Sequence, residues 1–74
     1  MKKMEYIVYI CNNDSVITFE RFACKRLETV KRNMETLLAS DLYMACIKGA
    51  TKADIYRTPD GYQREPEPVY TMDI

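Results

Sequence analysis

One segment constrains this chain more than any other. In "ACKRLETVKRNMETLLAS", Ala23, Leu27, Val30, Met34, Leu37 and Leu38 recur four, three, four, three and one positions apart. That spacing lines one stripe of an amphipathic helix, expected over residues 24–39. The opposite face carries Lys25, Arg26, Glu28, Lys31, Arg32 and Glu35. A helix with one apolar stripe must bury it on something, and the flanking segments supply strands.

Met4–Cys11 is rich in β-branched and aromatic residues and reads as a strand with two apolar faces, hence a central one. Asn12, Asn13, Asp14 and Ser15 form a turn cluster. A second strand is expected over 16–22, closing a hairpin. A rival start for the helix near Thr18 would extend the stripe back through Phe19 and Phe22. Val16-Ile17-Thr18 is a poor helix opening, so the hairpin is preferred. Beyond the helix, strands are expected over 42–48 and 52–57, with shorter ones over 62–65 and 69–74. The expected architecture is one α+β domain spanning 1–74, with two β-hairpins flanking one helix (ββαββ) and the helix packed on one face of an antiparallel sheet.

The segment "RTPDGYQREPEP" holds all three prolines of the chain. Thr58-Pro59-Asp60-Gly61 carries proline where φ is preset and glycine where a left-handed exit is wanted, a β-turn signature. Pro66 and Pro68 bar the segment that follows from a central strand. The tail 69–74 then either docks on its own sheet or adds to a neighbour's edge, which would make a homodimer.

Composition narrows the function classes. A chain of 74 residues builds one thin core, burying ~60% of the surface its unfolded form exposes. No histidine is present, so Ser-His-Asp and Cys-His catalysis are closed off. Carboxylate or lysine chemistry would need a dry pocket that so small a core struggles to supply. The chain is therefore read as non-catalytic, and no cofactor motif is read from it. Cys11, Cys24 and Cys46 fit neither a disulfide framework nor a zinc clamp, and are expected to be small buried hydrophobes in a reducing compartment. Asp54, Asp60, Glu65, Glu67 and Asp73 lack calcium-loop spacing and read as solvated turn residues. No metal site is expected.

Eleven basic residues balance eleven acidic ones, so no global field draws in nucleic acid or an anionic membrane. No apolar run approaches the ~20 residues that span a bilayer. Tyr6–Cys11 is too short for an export signal, and the chain is expected to be cytoplasmic.

Two binding surfaces are legible. Six tyrosines without a tryptophan suit a protein interface, because tyrosine offers contact area at low entropy cost. The candidate partner-binding residues are Tyr56, Pro59, Asp60, Gly61, Tyr62 and Tyr70. The helix residues Lys25, Arg26, Lys31 and Arg32 are the alternative, a nucleic-acid contact, weakened by Glu28 and Glu35 on the same face. The sequence thus points to a small protein-interaction or regulatory module. Its size is of the kind that phage and mobile elements encode, where restraining a host nuclease or polymerase is a natural task. A nucleic-acid-binding accessory protein is the second reading.

Overall fold

The computed structural model describes residues 5–59 and 63–74. It contains β1 (Glu5–Asn12), β2 (Ser15–Phe22), α1 (Leu27–Leu38), α2 (Asp41–Cys46), β3 (Lys52–Thr58) and β4 (Tyr70–Asp73). The four strands form an antiparallel sheet in the order β2-β1-β3-β4. β1 is central, as its two apolar faces require, and β4 pairs with β3 of its own chain.

The first hairpin forms as expected. Asn13 takes φ of 54°, the left-handed conformation that asparagine tolerates better than most residues. Its N–H donates to Thr51 Oγ1 at 3.0 Å, which ties the turn to the start of β3. The register runs from Tyr6 opposite Phe22 to Ile10 opposite Thr18, then shifts so that Cys11 meets Val16. Ile17 is left over as a bulge in this edge strand, a device that blunts an edge against foreign strands.

α1 starts three residues later than its apolar stripe suggests. Arg26 sits at the N-cap without a side-chain cap, because none of residues 23–26 is a Ser, Thr, Asp or Asn. Val30 and Met34 are its fully buried residues.

The expected strand over 42–48 is instead the short helix α2, so the order is ββααββ rather than ββαββ. Ser40 makes the difference. It takes an extended conformation, and its Oγ accepts the Tyr43 N–H at 3.3 Å. Ser40 therefore caps a new helix as well as ending the old one. Tyr43 and Ile47, four apart, then turn toward the core, while Leu42 stays 78% exposed. Gly49, with φ of 92°, leads out of this region into β3.

Pairing residues in antiparallel strands share a face, so the register sorts the side chains. Tyr6, Val8 and Ile10 of β1, with Ala53 and Ile55 of β3, face the helices. They form the core with Val30, Met34 and Ile47, and Phe22, Leu27, Leu37, Tyr43, Val69 and Met72 pack around it. The expected strand over 62–65 is not formed in residues 63–65. The Glu65 N–H nevertheless donates to the Arg57 carbonyl at 2.8 Å. No helix among the described residues is long and apolar enough to cross a membrane.

Candidate partner-binding face

Both helices pack on one side of the sheet, so the other face of β1 and β3 is built from the alternate residues. Reading across from β2, one row places Phe19, Tyr9, Asp54 and Thr71 side by side. The next row places Arg21, Ile7 and Tyr56 together. A third holds Val16, Cys11, Lys52 and Asp73. Among the described residues no helix covers this face, although Ile7 and Cys11 on it are buried.

Among the described residues, three aromatic rings meet there. Tyr9 and Phe19 lie 6.3 Å apart between centroids and tilted at 58°. Tyr9 and Tyr56 lie 5.4 Å apart at 76°, edge to face. Phe19 remains 53% exposed and Val16 56%, which leaves an apolar rim along β2. Above the tyrosines lies Arg64, from the chain that follows β3. Its guanidinium carbon is 4.3 Å from the Tyr56 centroid and 5.5 Å from that of Tyr9. Arg64 Nη1 donates to the carbonyls of Glu65 (3.0 Å) and Pro66 (3.5 Å).

Beside this cluster is a depression of about 430 Å³, lined in part by Tyr9, Asp14, Val16, Lys52, Asp54 and Arg64. Asp54 is already engaged on both sides. It accepts from Thr71 Oγ1 at 2.8 Å and pairs with Lys52 at 3.6 Å. At the far end of the same face, Arg21 pairs with Glu5 at 3.6 Å. Cys11 is buried on this face, and burial pushes its thiol up, helped by the charge of Asp54 and opposed by Lys52.

The structure disperses the residues that the sequence singles out. Tyr56 belongs to the open face. Tyr70 pairs with Ile55 and so faces the helices, where Lys31 Nζ sits 4.1 Å over its ring. Tyr56 and Tyr70 therefore cannot serve one flat partner. Pro59 is exposed just beyond β3, and Asp60, Gly61 and Tyr62 lie outside the described residues. Tyr9, Phe19 and Arg64 join Tyr56 instead. Their proximity depends on strand register and on the path of the chain after β3, and nothing local in the sequence announces either.

The basic residues do not form one row. Lys25 and Arg26 precede α1, and Lys31 is turned toward Tyr70. Arg32 is exposed on α1. The cysteines differ from one another: Cys11 is buried, Cys24 half-buried and Cys46 exposed, all as free thiols. The expectation of three buried cysteines thus holds for one of them. Burial also raises the Cys24 thiol, against the lowering effect of its hydrogen bond to the Arg26 carbonyl. Among the described residues, no group of three or more Cys, Asp or Glu side chains is placed to hold a metal ion.

Comparison with known proteins gives no kinship: no family model, curated protein or solved structure matches the chain significantly.

Proposed function

We propose that this protein is a non-catalytic binding module that recognises a protein partner through the helix-free face of its sheet. The observation that supports this reading is the ring cluster of Tyr9, Phe19 and Tyr56 with an exposed Phe19 at its edge. Aromatic side chains of this kind anchor interfaces because they bury large area with few torsions to freeze. A small domain gains little from placing Phe19 in water, and gains much from covering it. The exposed apolar residues Val16 and Ile17 continue the patch along β2.

The second reading, nucleic-acid contact by Lys25, Arg26, Lys31 and Arg32, draws less support. Counterion release needs several cations presented together, and Lys31 is turned to Tyr70.

The reading is tested by capture of partners from extract on the tagged chain, with nuclease added. Phe19→Asp should abolish capture, and the double change Lys31→Glu with Arg32→Glu should leave it intact. Capture that survives Phe19→Asp but is lost with nuclease would transfer the function to the second reading.

A further inference from the structure

We infer that Arg64 is a preorganised carboxylate receptor, and that the partner segment taken by the open face is a peptide presenting one carboxylate beside apolar residues. This rests on the open face being the binding surface and adds the chemistry of what binds there.

An arginine is costly to immobilise, because its long side chain loses rotamer freedom when it docks. Here that cost is already met within the free protein. The guanidinium lies on the Tyr56 ring at 4.3 Å and beside Tyr9 at 5.5 Å, the stacked arrangement that arginine favours over aromatic faces. One of its nitrogens, Nη1, is held by the carbonyls of Glu65 and Pro66. Among the described residues no carboxylate lies within ion-pair distance of Arg64, whereas Arg21 and Lys52 are each paired. A guanidinium presents five N–H donors in a fork that matches a carboxylate. Nη1 is occupied here, and the rest of the fork on this exposed side chain has no protein acceptor among the described residues.

The surroundings select a peptide over a polyanion. Among the described residues, the charged ones lining the depression are Asp14, Asp54, Lys52 and Arg64, two of each sign, so a run of phosphates meets no net attraction from them. Lys52 and Asp54 neutralise each other at 3.6 Å, and Asp14 belongs to the β1–β2 turn. A single carboxylate seated at Arg64 is favoured, and Phe19 and Val16 lie ready for an apolar neighbour.

The test is a titration of the full isotope-labelled chain, followed by amide and side-chain NMR signals. One probe is an octapeptide of leucine, phenylalanine and serine with one central glutamate, and the other is its counterpart with lysine replacing that glutamate. The expected result is movement of the Tyr9, Phe19, Tyr56 and Arg64 signals with the acidic peptide alone. Arg64→Gln should weaken that binding by about tenfold, the usual effect of removing one charged hydrogen-bonding partner. Arg64→Lys should restore only part of it, since lysine keeps the charge and loses the fork. Arg64 is exposed, and an otherwise unchanged spectrum of each variant verifies that the fold is kept. Equal movement with both peptides, or full affinity in Arg64→Gln, overturns the carboxylate inference and leaves the open-face reading standing. Movement with neither peptide overturns the inference, and unaltered partner capture by Phe19→Asp would remove the open-face reading on separate grounds.

Discussion

Tyr9 and Tyr56 touch edge to face across the diagonal of the sheet, since Tyr9 is directly opposite Asp54 and Tyr56 directly opposite Ile7. The diagonal separation in an antiparallel pair is within reach only of large side chains. At 76° the positive edge of one ring meets the negative face of the other. The contact fixes both rings from opposite halves of the chain and leaves the Tyr56 face to Arg64. The aromatic cluster is therefore a property of the β1–β3 register. A slip of one residue in that pairing would put Tyr9 and Tyr56 on opposite faces and break the cluster.

Core and open face should respond to truncation in opposite ways. Ile10 is fully buried between sheet and helices, and Ile10→Ala should cost about 2–5 kcal/mol, enough to unfold much of a chain this small. Phe19→Ala removes a half-exposed ring whose ring contact is with Tyr9, and should cost under about 1 kcal/mol. Urea titrations of both variants measure this. A Phe19→Ala loss as large as that of Ile10→Ala would mean the ring belongs to the core.

Much of the fold is legible in the sequence, and the exceptions have identifiable causes. The α1 stripe and the first hairpin depend on local periodicity and turn chemistry, which Leu27–Leu38 and Asn12–Ser15 both carry. α2 is hidden because Leu42–Lys48 has apolar residues at nearly every position, so alternation and helical spacing fit equally well. The decisive signal is Ser40, which reads equally as the end of one helix or the start of the next. The site is harder still. Tyr56 is recoverable from composition, but Tyr9, Phe19 and Arg64 reach it only through long-range pairing. Tyr70 is lost from it because β4 pairs with β3 in the register that turns its ring toward Lys31.

The Ser40 cap gives a direct check on α2. Its Oγ satisfies a first-turn N–H that otherwise has no partner within the helix. Ser40→Ala should lower stability by about 1 kcal/mol, whereas Ser40→Asp should hold it, because aspartate caps equally well and suits the helix dipole. Denaturant midpoints compare the two. An unchanged midpoint in Ser40→Ala would show that α2 is held by the packing of Tyr43 and Ile47 alone.

The three thiols should react in order of access. Cys46 is exposed, Cys24 half-buried and Cys11 buried. Burial raises the Cys11 and Cys24 thiols above their ordinary values, which cuts the thiolate fraction further. Timed alkylation at mildly basic pH, read by peptide mass, should modify Cys46 first and Cys11 only as the chain unfolds. Early labelling of Cys11 would mean that β1 opens readily at the hairpin end.

Tyr43 links stability to alkaline pH. Its hydroxyl donates to Glu20 Oε2 at 3.2 Å, bridging α2 to β2. Its pKa is pushed up to about 12 from 10.0, first by burial, then by the charge of Glu20 and the hydrogen bond to it, and last by Cys46. The folded state thus holds the phenol neutral where the unfolded chain would ionise it. The resulting stabilisation is present in full below pH 10.0 and is lost as pH rises through about 12. Phenolate absorbance, titrated for the native chain and for Tyr43→Phe, should differ by one late step near pH 12, while circular dichroism verifies folding at each point. Glu20→Gln should move that step toward lower pH without abolishing the shift, since burial, its largest single cause, remains. A difference step centred at 10.0 would mean that Tyr43 is solvated and that the bridge to Glu20 does not form in solution.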